Sequence, residues 1–173
     1  RTDFIKEKKL RFKETRFAAV VVFDTDMQPL ITRAVLLPDD TYYYVLRAGS
    51  LSNYQQREHI ELDEIKQYIW VYTYLKEQTK ELKDKTYYET RCSKVMKHMF
   101  HVICGAIKNQ EKIRPALTNR IIRDAMKHPV GLSELIHFKR YKAINIGFWL
   151  IGALPPMLSV WIIKSIGKWK HLI

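Results

Sequence analysis

The spacing of apolar residues predicts a short mixed region at the start of the chain. Apolar residues at positions 20, 23, 27, 30, 31 and 34 recur every three or four residues, which predicts a helix. Pro29 predicts a kink or a late start in that helix, because proline lacks the N–H that the helix needs. A short strand at residues 35–38, a turn at Asp39 and Asp40, and a second strand at residues 41–47 are predicted to follow.

From about residue 61 the apolar pattern has the helical period throughout. It predicts amphipathic helices over residues 62–85, 87–109 and 113–125, each with a charged face opposite its apolar one. The simplest arrangement of such helices is an antiparallel bundle. The pattern therefore divides the chain into residues 1–54, a helical region at 55–135, and a distinct C-terminal region at 136–173.

The C-terminal region contains the most apolar stretch of the chain. Residues 143–163 carry no charge, and this length meets the requirement of about 20 residues for a membrane-spanning helix. Pro155 and Pro156 lie near its middle and would break the helical hydrogen bonds where no water replaces them. The sequence favours two in-plane or re-entrant helices broken at the prolines; a single span and a buried pair of soluble helices remain alternatives.

Charge is distributed unevenly and indicates a lipid partner. The chain has a formal net charge of +12, and residues 136–173 contain six Lys or Arg and no Asp or Glu. Basic side chains beside tryptophans and an apolar run are typical of contact with an anionic membrane surface. We expect Trp149, Trp161, Lys164 and Lys168 to contact the membrane, at the cytoplasmic face, as a peripheral or monotopic protein. The absence of an unbroken Lys/Arg cluster argues against nucleic acid as a partner.

Cysteine and histidine provide no metal site in the sequence. Cys92 and Cys104 are twelve residues apart on one predicted helix, about 18 Å at 1.5 Å per residue, and cannot form a disulfide. Reduced thiols in the cytoplasm are the simplest interpretation. His98 and His101 have helical spacing but no third ligand nearby, so we interpret them as ordinary residues of a helix face.

The second predicted strand carries the chemistry that first suggests a ligand. Tyr42, Tyr43 and Tyr44 lead into Arg47, and a glycine turn and Ser50 follow. Arginine supplies permanently charged, planar donors, and glycine allows the backbone to approach a ligand closely. This pattern suits a phosphate-bearing ligand, although the end of a solvated hairpin has the same composition.

Together with the preceding residues, this strand resembles a known family. The segment Arg-Thr-Asp-Phe-Ile-Lys-Glu-Lys-Lys-Leu-Arg-Phe-Lys-Glu at positions 1–14 precedes the helix and the Tyr-Tyr-Tyr-x-x-Arg-x-x-Ser-Leu-Ser run. In order and spacing, residues 1–54 resemble the second half of the catalytic domain of bacterial family-two glycosyltransferases, which have the GT-A fold. The resemblance implies an α/β fragment, the end of a GT-A nucleotide-sugar transferase domain, followed by a mostly α-helical C-terminal region.

The resemblance also implies site residues and partners. Arg47 and Ser50 would bind the diphosphate of a nucleotide-sugar donor, and the acceptor would be lipid-linked or a glycan. The donor-binding half of the family, with its D-x-D site for Mg²⁺ or Mn²⁺, would precede Arg1, so we expect a fragment that binds no metal by itself.

The family's general base falls at a position that this chain changes. Ala19 and Val20 stand where the family carries Glu-Asp, and neither side chain can accept a proton. Asp24 and Asp26 follow one helical turn later and are the candidate replacements, with solvated helix carboxylates as the alternative. The expected function is part of a membrane-associated glycosyltransferase of surface polysaccharide synthesis; the alternative is a non-catalytic membrane-surface scaffold or a degenerate transferase.

Overall fold

The computed structural model of the chain describes residues 2–15, 18–33, 35, 38 and 57–173. Within these residues the protein is mostly helical, and its one sheet consists of two short parallel strands. The helices are α1 (Thr2–Glu7), α2 (Ala19–Met27), α3 (Leu62–Lys80), α4 (Tyr88–Lys108), α5 (Asn119–Ala125), α6 (Leu132–Leu135), α7 (Lys142–Ala153) and α8 (Pro156–Trp169). The strands are β1 (Ile60–Glu61) and β2 (Ile113–Arg114).

The predicted fold class has two parts, an α/β region and a mostly α-helical C-terminal region. The mostly α-helical C-terminal region is confirmed. The strand predicted at residues 41–47 lies outside the described residues, and the one at 35–38 lies there in part. The α/β arrangement of a GT-A domain therefore stays a prediction.

The two long helices α3 and α4 form the centre of the fold. Their apolar residues recur at helical spacing, so each helix has one apolar side that is buried. On α4, Met96, Met99 and Ile103 are fully buried, and on α3 the inner positions include Ile65 and Val71. The prediction that the first long helix extends to residue 85 was wrong by one turn, because the chain leaves the helix after Lys80 and turns toward α4. In the earlier predicted helix, Pro29 falls in a short 3₁₀ turn that ends α2.

The prediction of a helix beginning at residue 113 was wrong. Ile113 lies in β2 opposite Ile60 of β1, and both side chains are completely buried. Pro115 follows the second residue of β2, Arg114, and disfavours helical backbone at that residue. The helix α5 begins only at Asn119, where the Thr118 hydroxyl accepts a hydrogen bond from the Ile121 N–H at 3.3 Å and caps the helix.

The C-terminal apolar stretch forms two helices that meet at the prolines, as predicted. Leu154 is extended, as expected of a residue before proline, and Pro156 begins α8 at a position where its missing N–H costs nothing. The Ser159 hydroxyl donates to the backbone carbonyl of Ile151 and fastens the start of α8 to the end of α7. No described helix has both the length and the apolar character that crossing a membrane demands.

The inner sides of α7 and α8 belong to the same core as the central helices. One cluster joins Met99 and Ile103 of α4, Ile122 of α5, Ile151 of α7 and Ile163 of α8. This core therefore crosses the boundary that the sequence suggested at residue 135. The Glu89 carboxylate strengthens the connection, because it accepts hydrogen bonds from the backbone N–H groups of the segment just before α7.

Gly152 of α7 lies close to the backbone that ends α5. A Cβ atom added there would lie 2.6 Å from the Met126 carbonyl oxygen and 2.9 Å from the Lys127 Cα, both of which belong to the backbone. We expect Gly152→Ala to lower the free energy of unfolding by about 1–3 kcal/mol, because the backbone must shift to relieve the overlap. Urea unfolding measures this change.

Gly147 provides the matched control on the same helix. A Cβ added at Gly147 meets no atom within 4 Å, so alanine fits without a clash. Gly147→Ala should stabilise the protein by about 0.5–1 kcal/mol through its higher helix propensity. Equal effects of the two substitutions would contradict the close packing of α7 against α5.

Candidate functional site

The two acidic candidates of α2 have different surroundings. Asp26 accepts a hydrogen bond from the Tyr74 hydroxyl at 2.6 Å, and this bond fastens α2 to α3. Burial, with the hydrogen bond to Asp26 as a further cause, raises the pKa of Tyr74 to about 12. The Lys13 ammonium lies 5.1 Å from the centre of the Tyr74 ring. Asp26 therefore has a clear structural contact in the described part of the chain.

Asp24 lines a cleft between α2, α3 and α4. This cleft has a volume of about 340 Å³, and Arg91, Lys94 and His98 also line it. The Arg91 guanidinium donates to the side-chain oxygens of Gln28 at 2.8 Å and Thr25 at 3.1 Å. Burial lowers the pKa of Arg91. The cleft thus brings one carboxylate beside several basic groups, and the sequence did not predict this combination.

Of the other residues implied by the family resemblance, one pair lies on α2 and one pair lies outside the described residues. Ala19 and Val20 form the first turn of α2, and Val20 is exposed. Arg47 and Ser50 lie outside the described residues, so their roles stay predictions. Across the ranges that the structure describes, no three His, Cys, Asp or Glu residues lie close enough together to hold a metal ion.

The outer side of α8 is the most unusual surface of the described fold. Its residues, called here the outer face of α8, are Met157, Leu158, Trp161, Lys164 and Lys168. Their spacing places them on the side opposite the buried residues of the same helix. Met157 is 78% exposed and Trp161 is 65% exposed, which is high for large apolar side chains.

Three of the four predicted membrane contacts belong to this outer face. Trp161 and Lys168 are exposed and Lys164 is half-buried along the same side. Trp149 lies elsewhere: it is half-buried on α7 and packs against the cluster that contains Leu135 and Phe138. Trp149 therefore contributes to packing in this structure.

Large apolar side chains are also exposed at the ends of α7 and α8. Leu150 is half exposed on the last turns of α7, and Trp169 is exposed where α8 ends. The Lys170 ammonium lies 4.2 Å from the centre of the Trp169 ring, a cation–π contact. Residues 136–173 contain no acidic side chain, so the charged side chains of this segment are all basic.

A buried polar group that sequence reasoning missed lies inside the fold. Lys76 of α3 is only 4% exposed, and its ammonium donates to the backbone carbonyl of Lys127 at 2.9 Å and to that of Ala125. Ala125 is the last residue of α5, where the helix dipole favours a cation, and Lys127 follows two residues later. Burial nevertheless lowers the pKa of Lys76 to about 7, and Glu77 opposes part of this change. The one signal in the sequence was its position among the inner residues of α3.

His128 forms a second part of this buried polar region. Its Nδ1 accepts a hydrogen bond from the Val130 N–H at 3.1 Å, so its Nε2–H donates to the Asn145 side-chain oxygen at 3.2 Å. Burial lowers the pKa of His128, while the hydrogen bond with Asn145 opposes that change. The completely buried Asn145 thereby links α7 to the segment after α5.

Both cysteines are free and buried on α4. Burial raises the pKa of Cys92 to about 12 and that of Cys104 to about 11, so both stay protonated at neutral pH. Such thiols are poor nucleophiles. Neither cysteine is therefore a candidate catalytic group.

Comparison with known proteins identifies no relative of this chain. The chain matches no protein-family model, no curated protein and no solved structure.

Proposed function

We propose that this chain is part of a membrane-associated glycosyltransferase and that its C-terminal helices hold it against an anionic bilayer. The observation that carries the membrane part of the proposal is the exposure of Met157 and Trp161 beside Lys164 and Lys168. The location that fits this chemistry is the cytoplasmic face of the cell membrane, as a peripheral or monotopic protein.

The outer face of α8 has the composition that interfacial binding requires. Tryptophan is favoured at the level of lipid headgroups, and apolar side chains such as Met157 gain free energy by leaving water. Each Lys or Arg near an anionic surface contributes about 1 kcal/mol. Lysine can also extend its ammonium toward the headgroups while its methylene chain stays in an apolar environment. The helix would lie in the plane of the interface.

We expect the wild-type chain to bind vesicles of phosphatidylcholine and phosphatidylserine but not vesicles of phosphatidylcholine alone. Binding should weaken as salt is raised, because screening reduces the attraction between exposed charges. Sedimentation with vesicles measures both effects, and retention on immobilised duplex DNA provides the control for non-specific basic character. Stronger retention on DNA than on anionic vesicles at moderate salt would contradict the proposal.

The enzymatic part of the proposal is supported by the resemblance of residues 1–54. The reaction would transfer a sugar from a nucleotide-diphospho-sugar to a lipid-linked or glycan acceptor in surface polysaccharide synthesis. Arg47 and Ser50 would bind the donor diphosphate, and Mg²⁺ or Mn²⁺ would be held by a donor-binding half. A bilayer anchor suits a lipid-linked acceptor, because it keeps the site near the headgroups.

Arg47→Ala should abolish most sugar transfer by the full-length enzyme and leave its thermal stability unchanged. Arg47 would stabilise the charge on the diphosphate as it leaves the sugar. Removing one positioned donor from such an electrostatic site costs about 2.7–4 kcal/mol, which corresponds to about 10²–10³ in rate. A radiolabelled-sugar transfer assay measures the loss, and Arg47→Lys is the matched control. Unchanged turnover in Arg47→Ala would remove Arg47 from the site.

A non-catalytic membrane scaffold is the second candidate. It is favoured by Ala19 and Val20 at the position of the family's acidic pair and by the hydrogen bond that engages Asp26 with Tyr74. Calorimetric titration of the full-length protein with nucleotide sugars, in the presence of Mn²⁺ or Mg²⁺, separates the two functions. Binding favours the transferase, and its absence favours the scaffold.

A further inference from the structure

A cavity between α4, α7, α8 and the C-terminal residues has the properties of a ligand site. Its volume is about 630 Å³, within the range of about 300–1,000 Å³ that is typical of small-molecule sites. The apolar part of its wall includes Phe100, Phe148, Ile151, Ile166 and Leu172. This site is distinct from the outer face of α8, whose residues are absent from its lining.

The polar part of the wall consists of basic side chains. Lys97, His101 and Lys170 line the cavity and are exposed to solvent. Lys97 and Lys170 have aromatic partners, with ammonium-to-centroid distances of 5.2 Å to Tyr141 and 4.2 Å to Trp169. Within the described ranges, none of the three forms an ion pair with a carboxylate. The two ammonium groups of Lys97 and Lys170 are therefore available to an anion.

The glycine in the wall leaves space in the cavity. Gly147 lines the cavity, and a Cβ built on it would meet no atom within 4 Å. A glycine inside a helix costs about 0.5–1 kcal/mol relative to alanine, and packing between backbones does not require it here. Its effect in this structure is to keep that part of the wall open.

We propose that this cavity binds a single aliphatic chain that ends in an anionic group, such as a monoalkyl phosphate. The apolar wall would bury the chain, and the three basic side chains would bind the anion at the rim. A sugar or a nucleotide fits less well, because most of its hydroxyl and base groups would lose water without gaining a partner from this wall. The site requires no bilayer, so it goes beyond the membrane docking proposed above.

Calorimetric titration of the wild-type chain with dodecyl phosphate, below its micellar concentration, tests the proposal. We expect saturable binding of one molecule per chain. Dodecyl maltoside has the same chain without the charge, and inorganic phosphate has the charge without the chain; each should bind at least about tenfold more weakly. Equal affinity for dodecyl maltoside would overturn the anion subsite, and equal affinity for inorganic phosphate would overturn the chain subsite.

Variants locate the binding in this cavity. Gly147→Phe should abolish binding of dodecyl phosphate by filling the space, whereas Gly147→Ala should bind it almost normally. Lys97→Glu combined with Lys170→Glu should lower the affinity by about tenfold or more, because two exposed attractive charges become repulsive. Lys66→Glu combined with Lys108→Glu makes the same change in net charge away from the cavity and should bind normally. Normal affinity in the Lys97/Lys170 variant would overturn the proposal even if Gly147→Phe failed to fold.

The same titration separates this proposal from membrane docking. A wild-type chain that binds dodecyl phosphate but sediments with no vesicle would retain the cavity site and refute the docking face. A chain that sediments with anionic vesicles but binds no dodecyl phosphate would retain the docking face and refute the cavity site.

Discussion

Replacing Lys164 and Lys168 together with glutamate should release the protein from anionic vesicles. Each lysine contributes about 1 kcal/mol near such a surface, and each glutamate would add repulsion, so the total change is about 2–4 kcal/mol. This corresponds to a loss of roughly 30- to 1,000-fold in the partition coefficient. Both side chains lie on the outer face of α8, and neither forms an ion pair within the described residues. Vesicle sedimentation at low and moderate salt measures the effect.

The control variant reverses two exposed lysines elsewhere on the molecule. Lys66→Glu combined with Lys108→Glu makes the same change in net charge on α3 and α4. It should reduce vesicle binding much less, because those side chains are not beside the exposed apolar groups. Equal losses in the two double variants would show that total charge, and not the outer face of α8, determines binding.

Trp161→Ser tests the apolar component of the same face. The side chain is 65% exposed, so its loss should change the free energy of unfolding by less than about 0.5 kcal/mol. Binding to anionic vesicles should nevertheless fall, and the residual binding should become more sensitive to salt because only the electrostatic part remains. Trp149→Ser should have the opposite profile, since that ring packs against the interior and supports stability. Normal vesicle binding by Trp161→Ser would exclude the indole from the interface.

The buried lysine should make the stability of this protein depend on pH between 7 and 9. The pKa of Lys76 is about 7 in the folded protein and has an ordinary value of 10.5. Between these values the unfolded chain binds more protons than the folded one, so stability rises with pH. The expected slope approaches about 1.4 kcal/mol per pH unit, or about 2–3 kcal/mol from pH 7 to pH 9.

Urea unfolding of Lys76→Met at several pH values measures this contribution. The variant lacks the titrating group, so the wild type should gain about 2–3 kcal/mol relative to it across this range. Below pH 7 the folded lysine is also protonated, and the difference should become constant. The pH range ends at 9 because burial raises the pKa of both cysteines. Above pH 9 their titration lowers the stability of the folded protein as the pH rises, which opposes the effect of Lys76.

An exposed lysine on the same helix completes this experiment. Lys66→Met removes a solvent-exposed charge from α3 and should leave the pH dependence of the wild type intact. His128 faces the same buried region. Burial lowers its pKa from the ordinary value of 6.5, so its protonation changes the stability mainly near and below pH 6.5. A wild-type profile parallel to that of Lys76→Met between pH 7 and 9 would mean that the carbonyls of Ala125 and Lys127 keep the ammonium charged.

Sequence reasoning was most successful where the relevant interactions are local. The period of apolar residues on α4 and the break at Pro155 both depend on neighbours within a few residues, and both predictions are confirmed. The prediction of a helix at Ile113 was wrong, because that residue pairs with Ile60, more than fifty positions earlier. A two-residue strand leaves no periodic signal in the sequence.

The candidate sites show the same division. Trp161, Lys164 and Lys168 were selected from composition alone, and α8 brings them to one side because their spacing follows the helical period. The same grounds apply to Trp149, yet that side chain packs against a cluster of residues from several distant segments of the chain. Composition describes what a side chain prefers, but the neighbouring elements determine whether it is exposed.

By itself, the sequence determined the helical character of the region beyond residue 61, the division of the apolar tail at its prolines and its excess of positive charge. All three follow from local backbone preferences or from counting. Only the tertiary structure decided that Lys76 is buried against the end of α5, that Gly152 is a contact point and that a cavity opens beside Gly147. These features arise where segments far apart in the chain meet, and their packing depends on the shapes of all the side chains between them.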